Sequence, residues 1–194
     1  MKLYYTPGAC SLADHIALHE AGLKFDCEKV DLKTKRTESG GDFLAVNPKG
    51  YVPALTLDEG GVLTENIAIL DWIAGQDARL APRGALGRTR LLEMLAFIST
   101  EIHKSFKPFF AGEADDAKKK AGDAIGKRFG EIVTMMQGDY LFGAQVSVAD
   151  AYLFVMLMWA EKMGVAYPAP LAAFRDRMKA RAAVRTALEH EGLA

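Results

Sequence analysis

The stretch Leu3–Leu12 reads LYYTPGACSL and joins two different kinds of secondary structure. Its first three residues are apolar or aromatic and stop at a Pro-Gly pair, which predicts a short strand followed by a turn. Ser11 then precedes an apolar pattern of helical spacing that ends at Gly22, so we expect a helix with a cap at each end. Cys10 is therefore predicted to lie where this helix begins.

Working outward from this stretch, elements of both kinds alternate as far as residue 80. A second strand, a polar loop, a short helix, a hairpin and a longer helix are predicted in that order. The second strand is Phe25–Leu32, with Cys27 in the core. The polar loop is 33–42 and the short helix is 43–46. The strands of the hairpin are 53–57 and 62–63, and Thr64 caps the longer helix. Such alternation indicates an α/β layer whose first two strands are parallel.

After residue 80 the pattern changes to helices alone. Residues 81–86 read as a linker, and no convincing strand follows them. The first predicted helix is 91–109, with a bend or end at Pro108, and the second is 115–136. A third helix follows a capping box at Ser147–Asp150 and is apolar on every side. Two shorter helices are predicted at 171–178 and 184–188. The predicted fold class is thus α/β plus all-α, with domains 1–80 and 87–194.

Composition excludes several classes of protein. The chain has 194 residues and a formal net charge of −1, which gives no reason to expect nucleic acid or an anionic membrane as a partner. The most apolar stretch, 151–160, is far shorter than the ~20 residues of a membrane helix. Only two cysteines are present, and the N-terminus has no signal-peptide pattern, so we expect a reducing, cytoplasmic location.

Cys10 is the most informative residue for chemistry. A thiolate at a helix start meets free backbone N–H groups and the positive end of the helix dipole, both of which lower a thiol pKa. The alternative is a small buried hydrophobe. Residue 13 is alanine, so this is no dithiol site, and a lone thiol has to work with an external thiol such as glutathione.

Two further segments suggest a ligand with an amino-acid head group. A proline that opens an inner strand, as Pro53 does, leaves the backbone of Val52 free to pair with a bound peptide; the alternative is an ordinary edge proline. At the next helix start, N–H groups can bind a carboxylate while Glu65 pairs with an ammonium group, although helix capping alone explains the same residues.

The histidines of the sequence allow fewer conclusions about function than these segments do. His103 lies beside the apolar stripe of its helix and can act as a donor or base near neutral pH, or be a solvated helix residue. His15 and His19 are four residues apart, a spacing that can bind metal, but no further ligand pattern accompanies them. We therefore predict no metal site.

Taken together, these motifs resemble the cytosolic glutathione transferases, and specifically the bacterial beta class. The motifs that carry the resemblance are 4–12 (YYTPGACSL), 47–50 (NPKG), 52–55 (VPAL), 63–65 (LTE), 99–104 (STEIHK) and 147–150 (SVAD). The resemblance covers the whole chain. It implies a thioredoxin-like domain, a helical domain, a homodimer, and glutathione as co-substrate with no other cofactor.

The resemblance also implies roles for the first motifs. Cys10 lies next to the sulfur of glutathione and, in this class, can form a mixed disulfide with it. Val52, preceding a cis Pro53, pairs its backbone with the cysteinyl part of the tripeptide.

Further roles follow from the same resemblance. Glu65 and Asn66 hold the γ-glutamyl head group, and Lys35 is near a glutathione carboxylate. His103 and Lys104 complete the site, reaching in from the second subunit.

Two positions depart from the family pattern. Asn66 stands where serine is usual, which should alter the contact because an amide can still donate. Ala96 stands seven residues before the histidine, where many beta-class enzymes have asparagine. One lost hydrogen bond would weaken glutathione binding by roughly tenfold.

The function implied is addition of the glutathione thiolate to a small hydrophobic electrophile, with Cys10 and His103 as catalytic residues. We expect the electrophile between the domains, against Phe106, Phe110 and Trp159, although these could equally be core. The alternatives are a non-catalytic binding protein on the same fold, and a glutathione-dependent reductase or peroxidase that relies on Cys10.

Overall fold

The computed structural model describes all residues from 1 to 194. The strands are β1 (Lys2–Tyr5), β2 (Asp26–Asp31), β3 (Arg36–Thr37), β4 (Ala54–Thr56) and β5 (Val62–Thr64). The helices are α1 (Ser11–Glu20), α2 (Asn66–Gln76), α3 (Gly87–Phe97), α4 (Lys107–Phe110), α5 (Asp115–Met135), α6 (Val148–Met163), α7 (Ala169–Lys179) and α8 (Ala182–His190). Short 3-10 turns lie at Phe43–Ala45 and Ala78–Leu80.

The five strands form one mixed sheet in the order β3-β2-β1-β4-β5. Strand β1 is parallel to β2, as predicted, and antiparallel to β4, which pairs with β5 in the predicted hairpin. All later elements are helical, so the expected combination of an α/β layer and a helical region is confirmed. No helix has both the length and the hydropathy needed to cross a membrane.

The main cluster of buried side chains runs through both halves of the chain, from Leu3 to Leu188. Helix α6 lies at its centre, and nearly every side chain from Val148 to Leu157 is buried. This confirms the prediction for a helix that is apolar on every side. The division into 1–80 and 87–194 stays a prediction, because the core is continuous across it.

The predicted capping box at the start of α6 is present. Asp150 is fully buried, and its Oδ2 accepts hydrogen bonds from the backbone N and the hydroxyl of Ser147 at 2.7 and 2.6 Å. Its Oδ1 accepts from the backbone N of Leu141 at 2.8 Å. Burial raises the pKa of Asp150 to about 6, and the three donors satisfy both carboxylate oxygens.

The helix predicted over 91–109 is not a single α-helix. After α3 the chain forms a π-helical turn at Ile98–Ile102 and a 3-10 turn at His103–Phe106, and only then α4. The break therefore comes before Pro108. That proline lies in the first turn of α4, where its missing N–H costs no hydrogen bond. Short π-helical turns often mark functional sites.

Cys27 was predicted to be buried, and this is wrong. The residue is exposed on β2. Lys29 and Asp31 alternate with it along the strand and are exposed as well, whereas Val30 is the buried residue of β2. Because side chains two apart share a face, Cys27 lies on the same exposed face of β2 as Lys29 and Asp31.

Candidate active site

Cys10 occupies the N-cap position of α1 and is partly exposed. Its thiol donates to the backbone O of Val52 over 3.8 Å. The expectation of a lowered pKa is wrong for this structure, since burial and then the charge of Asp14 raise the pKa of Cys10 to about 12. Hydrogen bonds from the backbone N–H groups of Cys10 and Ser11 act in the lowering direction and are outweighed.

The Val52-Pro53 peptide bond is cis, as the resemblance implied. Neither the N–H nor the C=O of Val52 bonds to another backbone group. Strand β4 begins only at Ala54, so the pair lies just before the ladder starts. The side chain of Val52 is buried, which fixes its backbone. The N–H has no backbone partner and the C=O accepts only the long hydrogen bond from Cys10, so both can pair with an extended peptide.

Glu65, and not Thr64, occupies the N-cap of α2, and its φ of 74° is rare for a residue other than glycine. Its carboxylate accepts hydrogen bonds from Lys49, and from the hydroxyl of Tyr51 at 3.1 Å. Lys49 also donates to Thr64 Oγ1 at 2.9 Å. Hydrogen bonding from Lys49 lowers the pKa of Glu65, with smaller contributions from Tyr51 and the charge of Lys104.

Lys49 and Tyr51 were not singled out from the sequence as site residues. The signal was present, since Lys49 belongs to the turn Asn47–Gly50 that was one of the family motifs. Lys35 lies at the same turn, where its Nζ donates to the backbone O of Gly50 at 2.6 Å. This region therefore holds two lysines, of which Lys49 contacts Glu65 and Lys35 contacts the backbone of the turn.

The side chain of Asn66 points inward, away from the surface where Glu65 lies. It is buried, and its amide nitrogen donates to the carboxylate of Asp14, which is fully buried in α1. Burial raises the pKa of Asp14 well above its usual range. The expected side-chain contact between Asn66 and a ligand is thus replaced by this internal bond, which leaves the backbone N–H groups of the first turn of α2 for a ligand.

His103 lies against α6 of its own chain. Its Nδ1 is 2.6 Å from the hydroxyl of Tyr152, and its ring packs edge-to-face on Trp159. Burial, and then the charge of Lys104, lower the pKa of His103 to about 4. Within its own chain His103 is thus held against α6 by Tyr152 and Trp159, and the expectation that His103 and Lys104 reach in from a second subunit stays a prediction.

Comparison with known proteins identifies the family. The glutathione S-transferase N-terminal domain matches residues 9–76, and the C-terminal domain matches residues 100–191. Glutathione S-transferase GstA of Escherichia coli O157:H7 is 42% identical over the whole of both chains. The chain belongs to the glutathione S-transferase family.

Two solved structures place it within the family. One is the bacterial beta-class glutathione S-transferase of Sphingomonas chungbukensis, which is 49% identical with a TM-score of 0.92 over 100% of both chains. The other is a sphingomonad glutathione S-transferase complexed with glutathione, 48% identical, also with a TM-score of 0.92 over 100% of both chains. The predicted family, beta class, fold and enzyme type are confirmed.

Tyr152 is a further residue of this transferase that sequence reasoning missed. It is buried in α6, and its hydroxyl lies 2.6 Å from Nδ1 of His103. It thereby links the turns after α3 with α6. A signal existed, because a tyrosine in an otherwise apolar helix needs a partner for its hydroxyl.

The three aromatic residues predicted to line the electrophile pocket of the transferase contact one another, and the pocket itself stays a prediction. Phe106 is fully buried and packs edge-to-face on Trp159, so it belongs to the core and cannot line a pocket. Phe110 is 59% exposed and packs on the same indole. Trp159 also donates from Nε1 to the backbone O of Gly8 at 2.8 Å. The aromatic cluster thus holds the Pro-Gly turn before Cys10 in place.

Proposed function

We propose that this chain binds reduced glutathione along Val52 and transfers its thiolate to a small hydrophobic electrophile. The observation that carries the proposal is the free backbone pair of Val52 beside the thiol of Cys10 at the start of α1. A tripeptide with a central cysteine can pair with Val52 and place its own sulfur next to Cys10.

The remaining groups of the site suit the two ends of glutathione. The γ-glutamyl ammonium group would share Glu65 with Lys49, and its carboxylate would accept from backbone N–H groups at the start of α2. Lys35 and Lys49 offer positive charge for the glycyl carboxylate. Lys104, whose charge already acts on Glu65, adds to the same positive field.

The raised pKa of Cys10 favours conjugation as the main chemistry. A thiol whose pKa is about 12 stays protonated at neutral pH, so it can donate a hydrogen bond to the glutathione thiolate and stabilise it. In the thiol–disulfide branch, the Cys10 thiolate attacks oxidised glutathione, forms the mixed disulfide and releases one reduced glutathione. That branch should be slow at neutral pH and accelerate as pH rises.

The electrophile would lie against Phe110 and Trp159, with His103 as a neutral donor or base close by. Residues 1–80 would bind glutathione and residues 87–194 the electrophile, in a homodimer that needs no cofactor. Both cysteines are free thiols, which supports a reducing, cytoplasmic location.

The test pairs two assays on wild type, Cys10→Ala and Cys27→Ser. The first measures conjugation of glutathione to a nitro-activated aryl chloride, and the second measures intact mass after exposure to oxidised glutathione at two pH values. We expect Cys10→Ala to abolish the adduct but to keep roughly a tenth or more of the conjugation rate, since it loses one hydrogen bond to the thiolate.

Cys27→Ser is the matched control and should leave both readouts unchanged. Equal loss of conjugation and adduct in Cys10→Ala would contradict the separate roles assigned to this thiol. Absence of glutathione binding and of conjugation in the wild type would support a non-catalytic protein instead.

A further inference from the structure

Three histidines meet on the side of α1 that faces away from Cys10. His15 and His19 lie one turn apart on α1, and His190 ends α8. Their ring centroids are 5.1 Å apart for His15 and His19, 5.4 Å for His19 and His190, and 5.6 Å for His15 and His190. One ring nitrogen of each lies within 4.8 Å of the others.

The orientation of His15 is set by a buried carboxylate. Its Nδ1 is 3.0 Å from Glu191 Oε1, and both side chains are fully buried. A carboxylate accepts, so Nδ1 donates to Glu191 and the lone pair is on Nε2, which lies beside Cys27. A carboxylate that orients a histidine through its second nitrogen is the usual support of a metal-ligating imidazole.

A thiol lies beside one of the three rings, although it is outside the set of ring nitrogens that lie within 4.8 Å of one another. Cys27 Sγ is 3.5 Å from His15 Nε2. Zn–N bonds of about 2.0–2.1 Å and a Zn–S bond of about 2.3 Å in a tetrahedral site put nitrogen and sulfur about 3.5 Å apart. Without a metal, the same distance allows a weak hydrogen bond from the thiol to Nε2.

His19 supplies an independent observation. Its Nε2 is buried and has no hydrogen-bond partner, and it is the one buried side-chain N or O atom in the chain left in that condition. Buried polar atoms without partners are uncommon and call for a missing partner. The three rings also form a path from the interior to solvent, because His15 is buried, His19 intermediate and His190 exposed.

We propose that His15, His19, His190 and Cys27 bind one divalent transition-metal ion of the Zn²⁺ type. Imidazole and thiolate ligands select this class over Mg²⁺ and Ca²⁺. The imidazoles supply lone pairs, the thiol of Cys27 releases its proton to solvent, and no group changes oxidation state. His190 is at the surface, so its ring can move inward to shorten the distances between ring nitrogens.

The site is joined to the catalytic turn by a single residue. Glu191 orients His15 with Oε1, and its Oε2 accepts from the backbone N of Gly8 at 2.8 Å. Metal binding would therefore fix the C-terminal end of α8 against the turn that carries Cys10. The proposal concerns a second site and does not depend on glutathione binding.

The experiment titrates Co²⁺, and then Zn²⁺ in competition, into tag-free protein that has been stripped of metal. We expect one ion per chain, the visible bands of four-coordinate Co²⁺, and a near-ultraviolet sulfur-to-cobalt band. Cys27→Ser should abolish the sulfur band, and His190→Gln should weaken binding by at least about tenfold. Both residues are exposed, so neither change threatens folding.

The matched controls are Cys10→Ser and His103→Gln, which replace the same residue types outside the cluster and should leave metal binding unchanged. Glu191→Gln should weaken it about 10- to 100-fold, with circular dichroism to verify the fold. Absence of a one-to-one ion, or equal affinity in wild type and His190→Gln, would overturn the proposal and leave a hydrogen-bonded ring stack.

Discussion

At its N-terminal end, helix α1 presents Cys10 to the backbone of Val52, and further along it presents His15 to Cys27 and His19 to the ring of His190. Both regions combine a cysteine with a buried carboxylate. In the first, the N–H and C=O of Val52 have no backbone partner, and the C=O accepts only the hydrogen bond from the Cys10 thiol. In the second, the available groups are side-chain nitrogens and a thiol. The first arrangement suits a peptide, and the second suits a metal ion.

The difference shows that backbone and side-chain sites depend on different parts of the sequence. Free backbone groups arise wherever a helix starts or a proline interrupts a ladder, so a short local motif suffices. A cluster of side-chain ligands needs residues from several elements, and here α1, β2 and α8 contribute. Glu191 alone touches both regions.

The largest effect that would separate the two regions is expected for Glu65→Gln. Losing a charged partner of the glutathione ammonium group costs about 1.5–3 kcal/mol, so glutathione affinity should fall roughly 10- to 100-fold by calorimetry. Glu189→Gln makes the same chemical change on exposed α8, next to the histidine cluster. Similar losses in both variants would mean that net charge, and not a local contact, governs binding.

A smaller effect is expected for Tyr152→Phe. The change removes the hydroxyl that bonds to His103, at a cost of about 1 kcal/mol, so kcat/KM for conjugation should fall about fivefold. Tyr140→Phe is the control, because that hydroxyl accepts from Arg181 at 2.9 Å in a region remote from Cys10. A fall in unfolding temperature without any kinetic change would make Tyr152 a purely structural residue.

The smallest effect concerns pH and His103. Its pKa is about 4 in the folded chain and about 6.5 when unfolded, so between these values the unfolded state binds the proton first. Stability is therefore lost as pH falls through this window. His103→Gln should reduce the loss between pH 7 and 5 by about 1 kcal/mol, after solvent screening of a partly exposed ring.

Urea unfolding at the two pH values, in a chelating buffer, measures this contribution. Lys104→Met is a second probe, because removing the neighbouring positive charge should raise the pKa of His103 in the folded chain. The pH range between its folded and unfolded pKa values, over which stability is lost, should then become narrower. The raised pKa of Asp150 increases stability as pH falls, opposite to the effect of His103. Every variant retains Asp150, so its contribution cancels when the free energies of unfolding of two variants are compared. An unchanged pH dependence in His103→Gln would contradict the assigned pKa.

Much of the fold and part of the site followed from local patterns. The strand–turn–helix around Cys10, the hairpin and the capping box at Ser147 each depend on residues within a few positions of one another. Cys27 was wrongly predicted to be buried, because membership of a strand does not decide exposure. Exposure depends on what packs against the face of the strand on which the residue lies. The pKa of Cys10 was misjudged because a helix start predicts only the lowering contributions, whereas burial and Asp14 raise it.

The sequence by itself determined the order of elements, the place of Cys10 at a helix start and the free backbone at Val52, because each follows from short-range geometry. Only the tertiary structure decided that Tyr152 bonds to His103, that Lys49 and Tyr51 share Glu65, and that three histidines meet. These contacts join residues far apart in the chain, and no local pattern encodes which distant side chains packing will bring within bonding distance.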